Sequence, residues 1–198
     1  MEQALPTGGV LWRMLGAWAD LRGSMRAELD RGPSEARLLF YVMFSGLIWF
    51  LGRYVLLAYG STAPAIPEDE FIGRVAAQFV AAIFFRTLAF YALAAVAGWI
   101  ARAAGGRGDW RDSRAALFWA ALVAAPVILA ATLLSILLTG LPGQLAQAAS
   151  MVGALAFAWT TAHCFAEAHG FKNVWRVLAV VTVFAGLFVA GLLALMNL

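Results

Sequence analysis

The chain reads as an all-α, polytopic integral membrane protein: five transmembrane helices preceded by an amphipathic N-terminal helix. Three observations predict it. Hydrophobic residues make up 63% of the 198 and charged residues only 13%, against about one half and one quarter in soluble domains. The apolar excess falls into runs of roughly 20 residues, the length that crosses a bilayer core. The stretches between the runs alternate between basic and non-basic, as topology signals do. Such a length leaves no room for a separate soluble domain of ordinary size. The net charge of +3 comes from the arginines between the runs and does not point to nucleic acid.

Residues 1–32 read as a cytoplasmic amphipathic segment, and 33–198 as the five-helix membrane domain. The start is not a secretory signal, because Glu2 precedes any basic residue and no compact apolar core or small-residue cleavage site follows. In "VLWRMLGAWADLRGSMRAELDRG", Leu11, Met14, Leu15, Trp18, Leu21, Met25 and Leu29 recur every three or four residues, with Arg13, Asp20, Arg26 and Asp30 mostly off that stripe. One reading lays this helix on the inner leaflet, with Trp12 and Trp18 among the headgroups, reversibly bound and dispensable for insertion. The other packs it on the protein's own loops. "RGPSEAR" then breaks the helix, with Ser34 placed to cap the first span.

That span covers about 38–59 and ends at the turn-forming "YGSTAPAIPEDE". The second, 75–101, carries Arg86 at its centre. The third, 115–139, contains Pro126, which removes a backbone donor and predicts a kink near Leu122. The fourth, 145–165, has Ser150, Ala154, Ala158, Ala162 and Ala166 four apart, a small-residue ridge suited to close helix packing. The fifth, 174–195, repeats the device with Gly186 and Ala190. Internal packing is the plain meaning of such ridges, and a homo-oligomer or a protein partner the sharper one. Trp99, Trp110, Trp119 and Trp175 fall near one set of span ends, as an interfacial belt would.

Of fourteen basic residues, eleven lie before the first span, between the second and third, or between the fourth and fifth, counting Arg176 in the first turn of the fifth. The segment "STAPAIPEDEFIG" is acidic and "GLPGQLAQ" uncharged. The positive-inside rule therefore predicts a cytoplasmic N-terminus and a C-terminus on the outer side.

Ligand-capable residues gather only in "TTAHCFAEAHGFKNVW". His163 and Glu167 share a helix face, but His169 falls off it, against Gly170 where the helix ends. A polar helix end at the membrane surface is expected rather than a metal or haem site, and no cofactor is implied. The lone Cys164 excludes an internal disulfide and a cysteine zinc cluster. "AAGGRGDWRDS" follows an apolar span rather than a strand, so its glycines form a turn and not a phosphate loop. No nucleophile–base pair or paired carboxylates can be placed, so an enzyme is not expected.

Arg86 has no carboxylate at its depth in any other span. Insertion of a central arginine costs about 2.5–3.5 kcal/mol, which something must offset. Ala82 and Ala89 flank it, so it is expected to face the bundle. There it would bond carbonyls freed near Pro126 or a hydroxyl such as Ser135. Snorkelling towards Glu68–Glu70 or a lipid phosphate competes, and Arg53, nearer a span end, is expected to do that.

"GGRGDWRDSRAALFWAALVAAP" and the distant "WTTAHCFAEAHGFKNVWRVLAV" resemble the bacterial branch of the Yip-domain proteins, relatives of eukaryotic Ypt/Rab-interacting membrane proteins. The similar features are the Gly105–Gly106 loop, Pro126 within the following span, and the "EAHG" end formed by Glu167, His169 and Gly170, and the resemblance runs from about Arg31 onward. It implies five membrane helices, a cytoplasmic N-terminus and a bacterial inner-membrane location. The "DLYGP"-type motif of the eukaryotic members is absent, and Phe118–Trp119 stand where a Gly-Tyr pair is expected, so small-GTPase binding does not carry over. The implied role is non-enzymatic and membrane-organising or protein-interacting, in contact with membrane lipids. The alternatives are an accessory subunit of a larger membrane complex, or a small transporter or channel with Arg86 and Arg53 on an anion path.

Overall fold

The computed structural model describes residues 8–59, 67–138, 143–183 and 186. Every regular element among them is a helix: α1 (Val10–Gly16), α2 (Leu21–Asp30), α3 (Glu35–Tyr59), α4 (Glu68–Val80), α5 (Arg86–Ala103), α6 (Trp110–Leu137), α7 (Gly143–Ala168) and α8 (Val174–Val183). A π-helical turn, Ala81–Phe85, joins α4 to α5 without a break. Among the described residues, four helices are long and apolar enough to cross a membrane: α3, the run Glu70–Ala103, α6 and α7. Of the expected fifth span, α8 is described as far as Val183, and most of the remainder, Ala190 included, lies outside the described residues.

Packing centres on α6. Its residues Ala115 to Ala125 are buried on every side, between α3, α5, α7 and the N-terminal helices. Alanines at 115, 116, 120, 121, 124 and 125 make that possible, because small side chains let neighbouring backbones approach where lipid supplies no hydrophobic drive. Large apolar side chains also cover the outer face, among them Phe40, Leu51, Phe84, Leu88, Leu133 and Leu155, while Ser45, Thr87, Ser113 and Thr160 are buried, as are Trp119, Phe118 and Tyr41. An apolar exterior of this kind is that of a helix bundle solvated by hydrocarbon.

Several expected elements change. The single N-terminal helix is two, parted by a 3₁₀ turn at Ala17–Ala19, and Asp20 caps α2 by accepting from the Gly23 N–H at 2.9 Å. Its stripe is buried against the bundle at Met14, Leu21 and Met25, whereas Leu11, Trp12 and Leu15 stay exposed. Residues 68–74, read as loop, are the first turns of α4, which starts at Glu68 directly after Pro67. Likewise α6 begins at Trp110, because Asp109 and Asp112 form a reciprocal capping box with bonds of 2.8 and 2.9 Å. Ser34 caps α3 as expected, accepting from the Arg37 N–H at 3.3 Å.

The four-spaced ridge of α7 is only half used: Ala162 and Ala166 are buried, but Ser150 and Ala154 are exposed. A helix turns every 3.6 residues, so a strict four-residue row drifts off the contact face. Ala149 and Gly153 take over there, and a Cβ on Gly153 would stand 3.3 Å from the Ile128 Cα. Trp99, Trp110 and Trp175 are exposed, but Trp119 is a core residue, packed on Tyr41 at 5.2 Å.

Candidate functional site

The two stretches that carry the family resemblance meet at one end of the bundle. α5 ends at Gly105, whose φ of +89° only glycine adopts easily. The Gly105 N–H donates to Arg102 O (2.9 Å) and the Gly106 N–H to Ala101 O (2.8 Å), a Schellman closure. α7 ends the same way at Gly170 (φ +72°), through Gly170 N–H to Glu167 O (3.2 Å) and Phe171 N–H to Ala166 O (2.8 Å). The Arg107 N–H then donates to His169 O at 3.0 Å and ties the two ends together.

His169 is the pin of this joint. Only 1% of it is exposed, where a surface position was expected. The reason is the Gly170 turn, which folds Phe171 back so that the ring is stacked between Phe165 (5.6 Å) and Phe171 (6.2 Å). Its Nε2 lies 3.1 Å from Ser113 Oγ, which itself donates to Asp109 O at 2.9 Å. With the Ser113 proton so engaged, the histidine must donate from Nε2, which leaves Nδ1 as a bare acceptor. Nδ1 has no partner among the described residues and is pressed by backbone: a Cβ on Gly106 or Gly108 would stand 3.0 Å from it. Burial lowers the His169 pKa below the usual histidine value, against the raising influence of Asp112 and Asp109.

Beside the pin, Glu167 fastens α2. It accepts from Arg22 Nε at 2.8 Å and from Arg26, and Arg22 also donates to Phe171 O at 3.2 Å. On the far side of α2, buried Glu28 accepts from Tyr41 Oη (2.8 Å), Arg31 (2.7 Å) and Arg13. Trp119 Nε1 donates to Ser24 Oγ at 3.1 Å, and Trp18 Nε1 donates to Val123 O at 3.1 Å. Val123 lies in the turn before Pro126, through which α6 runs as one element. The N-terminal helices are thus held by charged and polar bonds on α3, α6 and α7.

Arg86 stands apart from this end. It faces the bundle, as expected, but on other partners: Nη1 donates to Val42 O (3.1 Å) and Ser45 Oγ (3.0 Å) of α3, and the guanidinium lies 4.2 Å over the Phe90 ring. Neither the Pro126 turn nor Ser135 is involved; Ser135 Oγ donates to Thr132 O at 2.7 Å. The π turn makes the approach possible. The Arg86 N–H reaches five residues back to Ala81 O, and the widened turn lies against Gly46, where a Cβ would stand 2.6 Å from Ala82 O. Arg53 is exposed near the other end of α3, over Trp49 at 5.9 Å, and does not join Arg86.

The remaining ligand-capable residues diverge: His163 packs on Trp159 at 4.5 Å, and Cys164 is a buried free thiol. The sequence singled out Gly105, Gly106, Glu167, His169 and Gly170, but not Ser113, Asp109, Glu28, Tyr41 or Gly108, and it did not show that the pieces touch. A family model described as the Yip1 domain matches residues 21–195, beginning at the first residue of α2. No curated protein and no solved structure matches the chain.

Proposed function

The chain belongs to the Yip1-domain family, and from that premise we propose that it is a non-enzymatic organiser of membrane partners. In this reading it has five spans, a cytoplasmic N-terminus and a C-terminus on the outer side of a bacterial inner membrane. The observation that carries the proposal is the use made of reactive side chains. His169, Glu167, Glu28 and Arg86 are each spent on ties between helices. A bundle end fixed by backbone closures, a buried histidine and paired charges is a rigid platform, suited to presenting a surface. α1 offers such a surface, with Leu11, Trp12 and Leu15 exposed on a helix held in place from behind. Exposed apolar groups of this kind mark contact with a protein or a membrane.

The basic loops support the orientation, since eleven of fourteen Lys and Arg fall on one side of the five-span arrangement. The test is purification from membranes in mild detergent, followed by particle mass. A homo-oligomer, or a defined partner lost on Trp12→Ser with Leu15→Ser, is the expected result. Stable incorporation into a larger complex through other surfaces would favour an accessory subunit. Anion flux in liposomes that falls on Arg86→Met at unchanged stability would establish a transporter or channel and overturn the proposal.

A further inference from the structure

We propose that the groove between α5, α7 and α8 holds one anionic glycerophospholipid, taken from the leaflet at the Gly105–Gly106 end of the bundle. This rests on residence in a membrane and not on the organising role. The cavity measures about 620 Å³, within the usual range for sites that enclose a small molecule. Its depth is apolar, with Leu93 and Ala97 from α5, Phe157 from α7 and Val177 from α8.

Its mouth is cationic. Lys172 and Arg176 line it, both exposed, and neither has an acidic partner among the described residues. The N-terminus of α8 opens at the same place, where Asn173 Oδ1 accepts from the Arg176 N–H at 3.3 Å. Its helix dipole adds positive potential to that of the two side chains. Among the described residues no carboxylate lines the groove.

A third observation lies between mouth and depth. The Thr161 hydroxyl is buried, lines the groove, and has no hydrogen-bond partner among the described residues. A helical threonine ordinarily bonds a carbonyl one turn back, and an unpaired buried hydroxyl is costly. Two cations, then a lone hydroxyl two turns along α7, then an apolar floor: the sequence of groups matches phosphate, ester carbonyl and acyl chain. A free phosphate would use the mouth alone, and a water-soluble peptide would leave the depth empty.

The experiment is native mass spectrometry of the full chain in detergent, with equimolar palmitoyl-oleoyl phosphatidylglycerol and phosphatidylcholine. One retained phosphatidylglycerol is expected, preferred by about tenfold, since each basic residue near a headgroup adds to anionic-lipid affinity. Lys172→Gln with Arg176→Gln should erase the preference at unchanged thermal stability, because both side chains are exposed. Ala97→Phe, which fills the floor, should remove the retained lipid of either kind, while millimolar inorganic phosphate should displace none. Equal retention of the two lipids by the native chain, a preference that survives the double substitution, a lipid that survives Ala97→Phe, or displacement by phosphate would each overturn the proposal.

Discussion

Replacing Glu28 by Gln removes one proton's worth of charge and almost no volume, yet it should be among the most damaging single changes in the chain. The carboxylate is 1% exposed and accepts from Tyr41 Oη at 2.8 Å, from Arg31 at 2.7 Å and from Arg13. Both arginine side chains are themselves largely buried, at 11% and 15% exposure. An amide leaves two guanidiniums facing each other without an anion and turns one acceptor into a donor that meets donors. Breaking a buried ion pair on one side costs about 3–5 kcal/mol. At roughly 2–4 °C per kcal/mol for a chain of this size, the midpoint should fall by about 10 °C. Thermal unfolding in detergent, followed by tryptophan fluorescence, reads this. Glu70→Gln is the control, because its pair with Arg74 is half exposed and spaced i,i+4, so it should cost less than about 0.5 kcal/mol. A Glu28→Gln midpoint within 2 °C of the native one, or equal effects of the two substitutions, would refute the claim that Glu28 and its two arginines lock the N-terminal helices together and, through the Tyr41 hydroxyl, onto α3.

Three further outcomes follow from the joint and the Arg86 contact. Arg86→Met should lower thermal stability by about 2–3 kcal/mol, the worth of a charge-assisted bond to Ser45 and Val42, without detaching the N-terminal helices; proteolysis of residues 8–30 checks the second part. Gly46→Ala should also destabilise, although alanine is the better helix former by about 1 kcal/mol, because its Cβ would meet Ala82 O at 2.6 Å; a stabilised variant in a denaturation series would contradict the π-turn contact. His169 supplies a pH dependence. Its folded pKa lies below the unfolded value of about 6.5, so the unfolded chain binds the extra proton first. Stability from this group is full above pH 6.5 and lost as the pH falls below it. His169→Gln should flatten that acid limb of the melting curve, and an unaltered limb would remove the histidine from the account.

The spans were legible because lipid imposes the same rule on every residue of a crossing helix, so composition alone marks α3, α6 and α7. Helix ends were less so. The Asp109–Asp112 box is a local start signal, but it lies in a stretch whose polarity reads as loop, as do the first turns of α4. Arg86 could be placed facing inward from desolvation cost, yet its partners depend on which turn of α3 it meets, and that register is set by Gly46 and the π turn, which no periodicity displays. His169 shows the same limit. Gly170 tells where the helix stops, but only the meeting with the Gly105 turn, more than sixty positions away in sequence, turns a polar helix end into a buried pin. The amphipathic stripe at 11–29 was visible, whereas its choice between bilayer and bundle rests on Glu167, Tyr41 and Trp119, residues far along the chain.

That choice is the centre of the account, and hydrogen–deuterium exchange of the full chain in lipid nanodiscs measures it most directly. If α2 is a built part of the bundle end, the amides of Ser24 to Asp30 exchange as slowly as those of the first turns of α6, and Glu167→Gln speeds them without disturbing α6. Exchange of the native α2 amides at the rate of a helix lying free on the membrane surface, unchanged by Glu167→Gln, would contradict it.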